Sequence, residues 1–279
     1  MTGSAAISPT AHYTGETWVR HELSHPELAT WQGRVLHGAL AAPTALSRTL
    51  GGPSLDGLLL ARHRIIDAIL DELIETGGVS QVVEAASGMS PRGWRFTQRY
   101  GDRLTYIETD LPAMAERKRE ALGRMGSLSE RHRVAEVDVL RDAGPGSLAA
   151  VVEELDPDRG LVIITEGLLT YLDEATTDAV WRRIGGVLAR FRRGAYLADL
   201  RLGGAARGVA ERAFDVILSG FVRGRVHTYR GGEASAEAAL KAAGFERVRL
   251  HRGDTHPAAS EVRDDPGSGA VRIIEATVG

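Results

Sequence analysis

Four acidic residues, Glu84, Asp110, Asp138 and Glu166, stand at or just past the ends of short apolar runs, and Arg62 interrupts the apolar line of a helical repeat. In an open α/β sheet, ligands bind beyond the carboxyl ends of the strands, so acids placed there can meet a small molecule. The densest signal is residues 81–112, QVVEAASGMSPRGWRFTQRYGDRLTYIETDLP. Val82 and Val83 run into Ala85, Ala86, Ser87 and Gly88, which reads as a buried strand ending in a tight turn. Small residues let the backbone pass close to a ligand. Asp110 closes a second alternating run about 20 residues further on, where a carboxylate can accept hydrogen bonds from the two hydroxyls of a ribose. It has another possible use, as the N-cap of the helix starting near Pro112.

The turn departs from a pyrophosphate turn. G-x-G-x-x-G lets a pyrophosphate sit on the following helix N-terminus, whereas the aligned positions here are Ala86, Gly88 and Met89 to Pro91. Pro91 and Arg92 stand where free N–H groups would be needed. A cofactor with a ribose and no phosphate fits better, and S-adenosylmethionine is the common one. The same order of strand, turn, helix, strand and acid also occurs in α/β proteins with no adenosine site, so the pattern alone leaves both readings open.

Composition narrows the classes. A net charge of −3 over 279 residues, with arginines scattered among acids, forms no basic stripe for nucleic acid or an anionic membrane. The absence of cysteine excludes disulfides, thiolate nucleophiles and Cys-containing zinc sites. No apolar run approaches the ~20 residues of a membrane span, and a cytoplasmic location is expected.

The elements that must position these residues follow from periodicity. Residues 1–10 read as disordered, and 11–50 as helices broken at Pro26 and Pro43. That segment carries His12, His21, His25 and His37, which read as interface histidines rather than metal ligands; no metal is expected. Leu55 to Thr76 is the strongest helix: Leu58, Ile65, Ile69 and Leu73 form one apolar line beside Leu59, Ile66, Leu70 and Ile74, and Gly77 and Gly78 end it. Arg62 falls on the apolar line. There it either grips a carboxylate of cofactor or substrate or snorkels past the stripe to water, while Arg64 faces Asp67 and Asp71. Residues 113–123 predict a charged surface helix and 134–140 a third strand with Asp138 near its end. Residues 161–165 predict a strand buried on both faces, followed at once by Glu166 and then Tyr171, and residues 195–200 a fifth strand. A helical insertion is expected at about 203–230. The strands at 245–250 and 271–278, joined without a helix, should form an antiparallel pair.

Five ordered segments, ARHRIID (61–67), VVEAASGMSPRGWRF (82–96), YIETDLP (106–112), EVDVLRD (136–142) and ITEGLLTYL (164–172), together resemble the leucine carboxyl methyltransferase family. Within it the chain is similar to bacterial O-methyltransferases of polyketide tailoring, whose N-termini look like TAHYTGETWVRHELSHP at 10–26. The resemblance implies a Rossmann-like class I S-adenosylmethionine-dependent methyltransferase, with a mostly parallel seven-stranded sheet whose last strand is antiparallel. It also implies a helical N-terminal cap at 1–54 and a cofactor-binding domain at 55–279. By the same resemblance Arg62 meets the methionine carboxylate, Ala86 and Gly88 form the glycine turn, and Asp110 binds the ribose. Asp138 and Val139 lie at the adenine, Glu166 near the cofactor's centre, and Tyr171 faces the transferred methyl as the catalytic residue. Ala86 replaces the family's first glycine. Glu84 stands where many such enzymes carry an acid and either orients the methionine amino group or caps a neighbouring turn.

The expected reaction is methyl transfer to an oxygen of a small-molecule acceptor. A carboxylate is ionised at neutral pH and needs no base, whereas a phenol, with a pKa near ~10, asks for one. Two rivals remain: a binding protein of the same fold that transfers no methyl group, and a nicotinamide oxidoreductase, which the missing pyrophosphate turn disfavours.

Overall fold

The computed structural model describes residues 9–49, 52–203 and 227–279. The expected helical insertion at about 203–230 therefore falls almost wholly outside the described residues, as does most of the 1–10 segment. Seven strands form a sheet in the order β3-β2-β1-β4-β5-β7-β6: β1 (Val79–Ala85), β2 (Thr105–Asp110), β3 (His132–Glu136), β4 (Gly160–Thr165), β5 (Gly194–Leu200), β6 (Arg247–Arg252) and β7 (Arg272–Val278). The chain divides into two compact units, Met1–Ala41 with Ser80–Leu155, and Ala42–Val79 with Asp156–Gly279.

In the first unit β1, β2 and β3 pair in parallel, with Glu84 opposite Glu108 and Asp110 opposite Glu136. Helices α1 (Pro9–Arg20), α4 (Arg92–Tyr100), α5 (Pro112–Arg124) and α6 (Leu148–Val152) belong here. Tyr13 and Trp18 of α1 are buried. Leu28 packs with Met89, Met114, Ala121 and Leu122, joining the N-terminal segment to α5 and to the turn after β1. His12 bonds to the Thr30 hydroxyl at 2.9 Å, and His25 accepts the Glu27 N–H at 3.2 Å. The third strand is shorter than its sequence predicts. It stops at Glu136 because the Asp138 carboxylate accepts the Leu140 N–H at 2.9 Å and its own N–H goes to Gly146 O, an aspartate-led turn that diverts the chain.

In the second unit β4 and β5 are parallel and wholly buried; β4 is continuously apolar from Leu161 to Ile164, as a strand covered on both faces demands, and β5 buries Asp199 among its apolar residues. Strand β7 runs antiparallel to β5 and to β6, so the last strand inserts between its two predecessors. Strand β6 starts two residues later than its sequence suggests. Gly244 (φ +100) turns the chain, and Phe245 is spent stacking on Tyr196 at 5.9 Å. Helix α3 (Leu55–Glu75) is capped by Ser54, whose hydroxyl accepts the Gly57 N–H at 2.9 Å, and ends at Thr76 before Gly78 (φ +70). Helix α7 (Glu174–Leu188) begins at Asp173, which caps the Thr176 N–H, and α8 (Gly232–Ala242) precedes β6. The N-terminal half of α2 (Trp31–Thr49) falls in the first unit.

Candidate functional site

The first unit builds its site at the tips of β1 and β2. Beyond Ala85 the chain turns through Ala86 (φ +53) and Gly88 (φ +51). The Ser87 N–H bonds to Thr109 O at 2.9 Å and the Ser90 N–H to Ser87 O at 2.9 Å. Asp110 accepts the Gly88 N–H on one oxygen and the Leu111 N–H on the other, each at 2.8 Å. The residue at the N-cap of α5 is Leu111, so Asp110 ties down the turn and does not cap the helix. Each of its oxygens keeps lone-pair capacity for a further donor. Burial pushes the Asp110 carboxyl above the usual range, against the pull of Gly88, Leu111 and Lys118. Among the described residues the buried Ser87 hydroxyl has no partner, and a Cβ added at Gly88 would come only to 3.6 Å of Ala11 Cβ. A half-buried carboxylate, an unsatisfied hydroxyl and an uncrowded backbone are a donor and acceptor set that fits a ribose.

Ala86 holds a left-handed conformation that costs an L-residue roughly 1–2 kcal/mol. Ala86→Gly is therefore expected to raise stability by about 0.5–1 kcal/mol in urea unfolding, after glycine's larger chain entropy is subtracted. A loss of stability would mean that the alanine methyl makes packing contacts worth more than the strain.

Behind this turn lies a buried polar network. Glu84 is 1% exposed, and its two oxygens are taken by Arg92 at 2.5 Å and the Tyr106 hydroxyl at 2.7 Å. Opposite it in the ladder, Glu108 pairs with Lys118 and with His132 Nε2 at 2.8 Å. Burial raises the Glu84 carboxyl. It pushes on Glu108 too, but there Lys118 and His132 outweigh it and hold the group low. Gly93 on α4 admits this packing, because a Cβ there would stand 2.4 Å from Glu108 Oε1. Asp138 and Val139 lie past the end of β3, Asp138 half-exposed and Val139 buried.

The second unit gathers Arg62 and Glu166 with two residues that sequence reasoning missed, His63 and Asp199. Arg62 Nε donates to Glu166 at 3.0 Å and Nη1 to Asp199 at 3.2 Å. His63, fully buried, meets the other Glu166 oxygen at 3.0 Å and lies 3.7 Å from Asp67. Arg62 is 7% exposed, so it turns inward and does not snorkel. Burial pulls its pKa down, but Asp199 and Glu166, helped by Tyr171, more than reverse this. The Gly167 N–H bonds to Asp199 at 2.6 Å, and a Cβ at Gly167 (φ +76) would stand 3.1 Å from the guanidinium. Among the described residues the hydrogen bonds of Arg62 run through Nε and Nη1, so Nη2 can meet a further acceptor. Arg64 bonds Glu261 at 2.6 Å. Tyr171 ends a 3-10 turn after Glu166 and is 37% exposed. Next to that turn a cleft is lined by Leu169, Leu172, Leu200, Arg201, His227 and Tyr229.

The sequence singled out Arg62, Glu84 and Glu166 but gave no strong cue to the partners they meet. Lys118 is one basic residue among several in a helix that reads as surface, yet it is fully buried. Alternation along β2 does place Tyr106, Glu108 and Asp110 on one face, which is the cue that was available.

Parallel strands closed by one antiparallel strand, with an acid fixed at the tip of β2, are the architecture of class I S-adenosylmethionine-dependent methyltransferases. Residues 20–185 match the leucine carboxyl methyltransferase family model, and the chain belongs to that family. A candidate S-adenosyl-L-methionine-dependent methyltransferase of Rhodococcus jostii is 34% identical over 148 residues, covering 53% of this chain and 47% of that protein. A counterpart from Mycolicibacterium gilvum is 32% identical over 148 residues, covering 53% of this chain and 45% of its own. The chain thus spans about half the length of the curated relatives it matches. Among solved structures, a DUF574 family protein from Streptomyces avermitilis superposes with a TM-score of 0.68 at 14% identity, over 98% of each chain. A candidate methyltransferase from Thermobifida fusca gives 0.67 at 15% identity, over 95% of this chain and 93% of that one. At these identities the likeness is one of fold.

Among the described residues no helix is long and apolar enough to cross a membrane.

Proposed function

We propose that the protein is a cytoplasmic O-methyltransferase that moves the methyl group of S-adenosylmethionine to a carboxylate, or a phenol, oxygen of a small polyketide-like acceptor. The observation that carries this reading is Asp110, oriented by two backbone N–H groups at 2.8 Å and still able to accept two hydroxyls. Arg62 offers its remaining N–H groups to the methionine carboxylate, and Glu166 supplies negative charge suited to a cationic centre. Ala86 and Gly88 give the close backbone approach. Asp138 and Val139 serve the adenine. Glu84, its oxygens occupied, supports the turn from behind through Arg92.

Bound, S-adenosylmethionine supplies a sulfonium methyl that needs no further activation. The protein's part is to hold the acceptor oxygen in line and keep water away. Tyr171 donates its hydroxyl to that oxygen, and an ionised carboxylate then requires no base. The family's description as carboxyl methyltransferases supports this choice, as does the cleft that sets Arg201 and His227 among leucines.

Thermal stabilisation by S-adenosylhomocysteine and not by NAD, followed by label transfer from methyl-labelled cofactor into candidate acids and phenols, tests the reading. Stabilisation by NAD alone would sink it, and stabilisation without label transfer would mark a binding protein. Tyr171→Phe is expected to lower turnover by about 10²-fold, the cost of a misplaced acceptor oxygen, with little change in S-adenosylhomocysteine affinity. The opposite pattern in turnover and calorimetry would move Tyr171 to the cofactor side.

A further inference from the structure

Lys118 is a buried ammonium in a helix whose neighbouring charges face water. It is 0% exposed, and its ammonium forms a salt bridge with the Glu108 carboxylate and donates hydrogen bonds to Gly88 O at 3.2 Å and Ser90 O at 2.6 Å. Burying an ammonium costs several kcal/mol unless it is fully paired. Neutralising Glu108 would account for the ion pair alone, and His132 already meets the other Glu108 oxygen. The two hydrogen bonds go to backbone carbonyls of the turn after β1.

That turn needs holding. Ala86 and Gly88 both have positive φ, and Ala86 pays a steric cost for it. Gly88 is fastened on both sides, its N–H by Asp110 and its carbonyl by Lys118. Lys118 therefore links α5, the Glu108 position of β2 and the turn in one bonded set.

We propose that Lys118 is a positioning residue for cofactor binding: its ammonium fixes the carbonyls of Gly88 and Ser90 so that the 86–90 turn and Asp110 present one geometry to the adenosyl ribose. This rests on the reading of that turn as the S-adenosylmethionine site. Lys118 touches no reacting atom.

The test uses the full chain carrying Lys118→Met with Glu108→Gln, which removes both charges together and leaves no bare carboxylate. Two quantities are read well below the melting temperature: S-adenosylhomocysteine affinity by calorimetry, and amide hydrogen exchange without ligand. Affinity is expected to fall about tenfold or more, and amides of 86–91 to lose protection while those of β5 and β7 keep theirs. A folded variant with unchanged protection at 86–91 overturns the proposal, as does unchanged affinity. Absence of S-adenosylhomocysteine binding by the unaltered protein would overturn the functional reading instead, and the exchange measurement would still decide whether Lys118 orders the turn. Should the double variant lose its fold, Lys118→Arg, which keeps the charge but not the compact reach of an ammonium, is read in the same two ways.

Discussion

Arg62→Met is expected to lower the free energy of unfolding by about 3–5 kcal/mol, because it strips the guanidinium from two buried carboxylates. Glu166 and Asp199 accept from Arg62 at 3.0 and 3.2 Å, and their side chains are 7% and 2% exposed. Methionine is close in length, so little of the loss comes from a cavity. What remains is uncompensated charge, for which His63 on Glu166 and the Gly167 N–H on Asp199 are partial substitutes. Urea unfolding measures the loss, and the triple variant Arg62→Met, Glu166→Gln, Asp199→Asn, which removes the uncompensated charges, should recover part of it. A deficit below about 1 kcal/mol would place this pair with solvated surface bridges, against its observed burial.

Asp110→Ala is expected to weaken S-adenosylhomocysteine binding by on the order of 100-fold or more, since two hydroxyls lose an ionised acceptor. The alanine also frees the Gly88 and Leu111 N–H groups that the carboxylate holds. Asp110→Asn is the sharper probe because it keeps one carbonyl acceptor and removes the charge. In the unaltered protein, burial raises the Asp110 pKa, so the carboxyl takes up its proton at a higher pH than an exposed aspartate would. A hydroxyl donates better to the carboxylate than to the acid, so affinity should fall with falling pH, beginning above the ordinary aspartate value of ~3.9. The same raised pKa makes ionised Asp110 slightly unfavourable to the empty fold, so this group alone adds no stability on the alkaline side. Calorimetry at a series of pH values on the unaltered and asparagine proteins separates the effects. Equal affinities throughout would confine Asp110 to tying the turn.

The amino-acid sequence by itself determined the strands, their order along the chain and helix α3, but not the run of α2 through Pro43, where it predicted a break. Periodicity along 55–76 put Arg62 on the buried side of α3, and the unbroken apolar run at 161–165 marked β4 as central. Asp110 was identifiable as a candidate because an acid at a strand tip and a small-residue turn lie within one strand–helix–strand segment, and such signals are local. Tertiary structure decided which charges meet. Arg62 pairs with Asp199, 137 residues away, and Glu84 pairs across the turn with Arg92 while its ladder neighbour Glu108 takes Lys118. No spacing rule anticipates those partners, since they depend on strand register and on how far each helix is rotated about its axis. The left-handed backbone of Ala86 belongs there too: the residue type argues against it, and the bonds of Ser87, Gly88 and Ser90 to their neighbours hold it in place.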